Sequence, residues 1–182
     1  MVEERAVPLT VYKFEVLEGQ EWIFPADDDD YETFSAMEGT VIQDWIAPVM
    51  KLDTADRTYS DFPWLGEHTS FLKKPAIDAL APVLAAYGQL LPVKGEEVWL
   101  FNTTMVLDAL DLEQSKIAYF DNGDILDIER HAFREASIGV VEIFRLPIRA
   151  SAIYVTGSFV DRVRDAGLRG VSFAHVWTSS KE

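Results

Sequence analysis

Residues 117–128 read IAYFDNGDILDI, and this stretch contains the clearest local fold signal in the chain. Two apolar runs, over 117–120 and 125–128, flank the turn sequence Asp121 to Asp124. Asn-Gly tolerates positive φ at both central turn positions, which a tight two-residue hairpin loop requires. The sequence therefore predicts an antiparallel β-hairpin at this point.

A helix is predicted upstream of the hairpin. It begins at Lys74 or Pro75, since proline suits a first helical turn, and apolar residues then recur at helical spacing as far as Tyr87. Pro82 lies inside this pattern and should kink or split the helix. Gly88 is the predicted C-terminal cap.

A second helix is predicted downstream, from Thr156 or Ser158 to about Ala166. Gly167 should adopt the left-handed cap, which lets Leu168 fold back onto the helix. The remaining predictions are strands over 90–93, 98–103, 140–146, 153–156 and 171–177, a short helix over 129–136, and a charged turn or short helix over 108–115. Because strands outnumber helices and often follow one another directly, the predicted fold class is α+β, with a mostly antiparallel sheet and a few short helices.

The first 70 residues have a weaker pattern. Residues 11–16 alternate and predict a strand, and residues 22–24 form a short apolar run. Residues 45–52 contain Pro48, which favours an edge strand or an irregular segment. We interpret 71–182 as an α+β domain and 1–70 as an acidic N-terminal portion, with its packing on the same core left open.

Charge is the main compositional signal. The net charge is −15. Residues 1–70 hold 16 acidic and 4 basic residues, which gives a net charge of −12. Residues 71–182 hold 15 acidic and 12 basic residues, which gives a net charge of −3. Such a surface repels phosphate backbones and anionic lipids, so we expect no nucleic-acid and no membrane partner. It would attract a basic protein surface, although solubility alone also explains an acidic composition.

Two segments of the acidic portion are candidate contacts. Four consecutive carboxylates cannot pack together in a core, so they predict an exposed loop. Trp64 lies in a polar, turn-rich stretch, and large aromatic residues on loops are candidate binding anchors. The predicted partner-binding residues are Asp27, Asp28, Asp29, Asp30, Phe62 and Trp64.

Catalytic and metal chemistry find little support. The chain has no cysteine, no phosphate-binding glycine motif and no nucleophile elbow, and its histidines, His68, His131 and His175, lack metal-ligand spacing. His175 should be half-buried in the last strand, on the face of Phe173 and Trp177. We predict no catalytic residue, no metal and no cofactor. The N-terminus lacks the apolar core of a secretory signal, and we expect a cytoplasmic protein.

The order of packing and turn residues from Ala76 onward resembles a family of bacterial polymorphic-toxin immunity proteins, a myxobacterial-type immunity domain. The resemblance is carried by Tyr87-Gly88, Leu91-Pro92, Leu107-Asp108-Ala109-Leu110-Asp111, Ser115, the turn at Gly123, Ile143-Phe144-Arg145, Tyr154-Val155, Phe159, Gly167-Leu168, Gly170 and Phe173. It implies a non-enzymatic protein that neutralises a cognate toxin by direct contact, and the toxin is expected to have a basic surface. A stand-alone ligand-binding or scaffold domain is the second hypothesis, and a carboxylate- or metal-dependent hydrolase is the third.

Overall fold

The computed structural model describes residues 7–180, which form eleven strands and four helices. The strands are β1 (Thr10–Glu15), β2 (Trp22–Pro25), β3 (Met50–Asp53), β4 (Ser70–Leu72), β5 (Gly88–Pro92), β6 (Trp99–Thr103), β7 (Lys116–Tyr119), β8 (Ile125–Arg130), β9 (Ile143–Arg145), β10 (Ile153–Thr156) and β11 (Ser172–Thr178). The helices are α1 (Asp30–Ser35), α2 (Lys74–Tyr87), α3 (Glu135–Ile138) and α4 (Gly157–Asp165).

The strands form several small sheets. The central sheet has the order β11-β1-β10-β9, a second sheet has the order β4-β6-β5, and β2-β3 and β7-β8 are two-stranded. Every named strand pair is antiparallel. The α+β class is confirmed, with the strands divided among four sheets where one main sheet was expected.

The central sheet is buried on both faces, and β10 shows this most clearly. Ile153 and Val155 point into a cluster that also contains Leu84 of α2 and Phe159 of α4. Tyr154 points the opposite way, because successive strand side chains alternate between faces. Helices α2 and α4 therefore cover one face of the sheet, and the other face needs a different cover.

The β7-β8 hairpin and its neighbouring loops supply that second cover. Phe144 of β9 stacks on Tyr154 with ring centroids 5.5 Å apart, and Phe133 meets Tyr154 edge to face at 5.5 Å. Ile117 and Ile128, which face each other across the hairpin, pack against this cluster. The inner side of the hairpin is therefore anchored to the core.

The N-terminal segment contributes to all three apolar clusters. Val11 packs with the hairpin-side cluster and Phe14 with the helix-side cluster. Ile23 and Phe34 pack in a third cluster, on the side of β6 that Leu100 faces. Burial of each such side chain contributes roughly 1.5–3 kcal/mol to folding.

Helix α2 is continuous from Lys74 to Tyr87, so of the two effects expected of Pro82, a kink or a split, the split does not occur. Gly88 ends the helix as predicted, but it is extended, with φ −176°, and it begins β5. The need for glycine is steric there, because an added Cβ would lie 2.4 Å from the Asn102 carbonyl oxygen and 2.6 Å from the Phe101 ring.

Helix α4 ends as the sequence predicts. Gly167 has φ +67°, its N–H donates to the Arg164 carbonyl at 2.9 Å, and the Leu168 N–H donates to the Val163 carbonyl at 3.2 Å. These two bonds define a Schellman motif, and Leu168 packs on the same cluster as Val163.

The hairpin is confirmed, but its turn differs from the expected type. Gly123 has φ +89°, whereas Asn122 is not among the positive-φ residues that the structure describes. The Gly123 N–H donates to the Phe120 carbonyl at 2.9 Å, and the Phe120 N–H donates to the Asp124 carbonyl at 2.8 Å. The loop is therefore a three-residue turn in which one left-handed glycine suffices.

Other local predictions were partly wrong. Strand β8 extends to Arg130, and the predicted helix over 129–136 is replaced by α3, which shares only residues 135 and 136 with it. The predicted strand over 140–146 is reduced to β9. Asp30 begins α1 where a loop was expected, and β4 was not predicted. His175 is exposed, and its Nε2 lies 2.7 Å from the Thr178 hydroxyl. Tertiary packing decides these short elements.

Truncation of Phe144 tests the double-sided core. Phe144 is fully buried, so Phe144→Ala should lower the free energy of unfolding by about 3–5 kcal/mol through lost burial and a residual cavity. Val140→Ala is the matched control, because Val140 is 91% exposed, and its effect should stay within about 0.5 kcal/mol. Urea unfolding measures both, and a cost below about 1 kcal/mol for Phe144→Ala would contradict a packed second face.

Candidate partner-binding surface

The acidic run forms a turn that leads into α1. Asp27, Asp28 and Asp29 are exposed, and Asp30 is half-buried at the start of the helix. The Asp29 N–H donates to the Asp27 carboxylate at 3.0 Å, and the Asp30 N–H donates to the Asp27 carbonyl at 3.1 Å. Among residues 7–180, no cation lies within 4.0 Å of these four carboxylates. Their charge is presented to solvent.

The Phe62–Trp64 segment is docked onto β2 and does not form a free loop. The Trp64 N–H donates to the Glu21 carbonyl and the Ile23 N–H donates to the Trp64 carbonyl, both at 2.9 Å. Phe62 is only 5% exposed, since its ring packs 5.9 Å from that of Phe14. Trp64 is half-buried and keeps part of its surface accessible.

Trp64 and the acidic turn lie at opposite ends of β2. The backbone of Trp64 is bridged to Trp22 at the start of the strand, and Asp27 follows its end. From Trp22 to Pro25 the strand makes three steps of about 3.3 Å, so its ends lie roughly 10 Å apart, and Asp27 lies beyond the second end. The structure does not gather the predicted contacts into one cluster, but the spacing fits within one interface of about 800 Å² per partner.

An ion pair connects α1 to the loop beside the hairpin. Arg149 Nη2 lies 2.6 Å from Glu32 Oε1 of α1, across 117 positions of sequence. Arg149 also lines a cleft with Ile125 to Ile128 of β8. Helix α1, which follows the acidic turn, therefore adjoins this cleft and β8.

Arg145 of β9 connects the segment that follows α1 with the loop at Ser151. It is only 2% exposed, and its guanidinium donates to the carbonyl of Met37, just after α1, and to that of Ser151 at 3.3 Å. Burial lowers the pKa of Arg145, and the nearby Glu38 carboxylate acts in the opposite direction. Because a buried charge is costly without hydrogen-bond partners, this arrangement ties both backbone segments to β9.

The cleft contains groups that could suggest catalysis, but each has a structural partner. Glu67 pairs with Lys13 at 2.7 Å, and His131 Nε2 lies 2.9 Å from the Tyr154 hydroxyl. Asp127 accepts a hydrogen bond from the Ile128 N–H at 2.8 Å. Burial lowers the pKa of His131 to about 4, with Lys13 adding to the effect, so His131 is neutral at pH 7.

The size of the cleft limits what it can hold. Its volume is about 80 Å³, room for about two or three waters or the end of one side chain, whereas ligand pockets span about 300–1,000 Å³. No group of three or more His, Asp or Glu side chains within residues 7–180 is placed to hold a metal ion. The cleft therefore resembles a recess in a contact surface more than a substrate pocket.

Three exposed apolar residues of the hairpin were missed as candidates. Tyr119 is 52% exposed, Phe120 is 53% exposed and Leu126 is 55% exposed. The sequence contained a signal, because the adjacent pair Tyr119-Phe120 precedes a turn, and consecutive strand side chains cannot both face one core.

Comparison with known proteins identifies a family for this chain. The sequence model of the Immunity protein family (Imm11) matches residues 79–178, more than half of the 182 residues. No curated protein matches the chain. The matched region runs from within α2 through β11 and includes the hairpin, whereas the acidic turn precedes it. No helix within residues 7–180 has the length and apolar character needed to cross a bilayer.

The pH dependence of folding should reveal the state of His131. Its pKa is 6.5 in a model peptide and about 4 in the folded chain, so the unfolded state binds the extra proton between these values. The free energy of unfolding should therefore decrease as pH falls through this window, by on the order of 1–2 kcal/mol after solvent screening.

His131→Gln should remove this contribution. Urea unfolding of both proteins at about pH 7.5 and about pH 5 measures it as the difference between their pH dependences. Identical pH dependence in the two proteins would show that His131 titrates alike in the folded and unfolded states.

Proposed function

The chain belongs to the Imm11 immunity protein family, and from this premise we propose that it binds and neutralises a cognate bacterial toxin by direct protein–protein contact. The family match over residues 79–178 is the observation that carries the proposal. The structure adds support, because the Glu32–Arg149 ion pair and the cleft that Arg149 lines connect α1, which follows the acidic turn, to β8 of the hairpin.

Neutralisation is proposed to occur by occlusion, without a bond made or broken. Within the cleft Glu67 pairs with Lys13 and His131 with Tyr154, and the cleft is too small for most substrates. Neither a cofactor nor a metal is required by this mechanism. The protein would act in the cytoplasm, where its own cell must be protected.

Electrostatic steering is proposed to speed capture of a basic toxin. The net charge of −15 and the unpaired carboxylates of the acidic turn favour a cationic surface and disfavour nucleic acid and anionic membranes. We propose Asp27, Asp28, Asp29, Asp30 and Trp64 as contacts at the edge of the interface. Phe62 would act indirectly, since it is buried and holds the Trp64 segment to the core.

Co-expression tests the function itself. The toxin encoded by the adjacent gene should arrest growth when expressed alone, and this chain should restore growth and co-purify with the toxin. Restored growth without any physical complex would contradict neutralisation by contact, and failure to restore growth would contradict the immunity role.

Neutralising the acidic turn tests the steering. Asp27→Asn, Asp28→Asn and Asp29→Asn together should slow association with the toxin about tenfold at low salt, and the difference should shrink as salt shortens the Debye length. Stopped-flow association at about 50 mM and about 500 mM NaCl measures the effect.

The control triple variant removes the same charge elsewhere. Asp78, Asp161 and Asp165 lie on α2 and α4, on the helical side of the central sheet, in exposed ion pairs that contribute little to stability. Their replacement by Asn should slow association much less. Equal slowing by both triple variants would mean that total charge matters and the acidic turn does not.

A further inference from the structure

We infer that the β7-β8 hairpin is the principal anchor for the toxin, and that it binds an apolar patch surrounded by lysine or arginine side chains. This inference rests on the proposed function and deepens it by locating the contact. The hairpin lies on the face of the central sheet opposite α2 and α4.

Exposure of large side chains is the first support. Tyr119, Phe120 and Leu126 are each more than half exposed and are grouped within eight positions around one turn. Aromatic residues of this kind supply much of the binding energy of protein interfaces. None of the three belongs to an apolar cluster formed by residues 7–180.

Rigidity of the hairpin is the second support. Ile117 and Ile128 pack its base against the core, so its position relative to the central sheet is fixed. At the turn, the Asp124 N–H donates to the Asn122 side chain at 3.0 Å, and the Asn122 amide donates back to the Asp124 carboxylate at 2.9 Å. A preorganised element loses little conformational entropy on binding.

Charge identifies the partner. Asp121, Asp124 and Asp127 are exposed in the same hairpin as the apolar residues, and no cation in the described part of the chain lies within 4.0 Å of them. The hairpin cations lie away from the turn: Lys116 pairs with Glu129 and Arg130 donates to the Gln114 carbonyl. Exposed apolar side chains accompanied by carboxylates that are not in ion pairs are complementary to an apolar patch with a cationic rim.

Continuity with the steering surface is the third support. Leu126 and Asp127 line the cleft that Arg149 shares, and Arg149 contacts α1 just beyond the acidic turn. A toxin drawn to the acidic turn would therefore meet the hairpin on the same side of the molecule. The cleft beside Asp127 has room for the end of one cationic side chain of the partner.

Truncation of the anchor is the first arm of the test, performed on the full chain with the toxin encoded by the adjacent gene. Tyr119→Ser with Phe120→Ser should raise the dissociation constant at least about 30-fold and abolish growth rescue. Ile46→Ser with Val140→Ser is the control, because both residues are highly exposed, at 86% and 91%, and lie outside the hairpin. The control should bind and rescue as the unaltered chain does.

Photo-crosslinking is the second arm and keeps an aromatic group in place. A benzoylphenylalanine at position 120 should crosslink to the toxin, whereas the same residue at position 140 should not. This arm decides the question if the truncated variant fails to fold, which thermal unfolding would reveal.

The outcomes separate the two proposals. Suppose that the unaltered chain rescues growth, but the hairpin variant binds the toxin equally well and position 120 gives no crosslink. The hairpin is then not the anchor, and the immunity function stands. If the unaltered chain neither binds nor rescues, the immunity function and the anchor both fail. Loss of binding by the hairpin variant alone, with crosslinking at position 120, supports both.

Discussion

Burial of the central sheet on both faces is the constraint on which the rest of the structure depends. All four residues of β10 are buried, and its neighbours β1 and β9 also place apolar side chains on both sides. Each face must therefore be covered by another element. Helices α2 and α4 cover one face, and the hairpin with its adjoining loops covers the other.

Because both faces of the central sheet are covered, the proposed contacts with the toxin lie on elements at the edge of the core. The hairpin covers the core with its inner side chains and presents its turn to solvent, so a structural element also offers a rigid exposed surface. Arg145 joins the N-terminal segment to the core, because its buried guanidinium hydrogen-bonds both to the backbone after α1 and to the loop at Ser151. Helix α1 and the loop that carries Arg149 are held next to each other as a consequence.

Local signals in the sequence predicted the elements that depend on local chemistry. Gly167 predicted the end of α4, and Asn122-Gly123 predicted the hairpin, because caps and turns need particular backbone conformations at particular residues. The order of packing residues from Ala76 onward also indicated the immunity family, and the match over residues 79–178 confirms it. The antiparallel α+β class followed from the same short, successive strands.

Features that depend on long-range contacts could not be predicted in this way. Phe62 is buried because it meets Phe14, and the acidic turn is joined to the hairpin surface through Glu32 and Arg149, which are 117 positions apart. No local pattern encodes such pairs. The exposed pair Tyr119-Phe120 was visible in the sequence, but its importance depends on knowing which side of the hairpin the core occupies.

The central claim is that the chain acts through the surface formed by the acidic turn and the hairpin. Hydrogen–deuterium exchange of the full chain, alone and bound to the toxin encoded by the adjacent gene, tests this most directly. The account predicts slower exchange on binding in residues 26–35 and 116–130, with no change in α2 and α4. Protection confined to α2 and α4, with the hairpin unchanged, would contradict it.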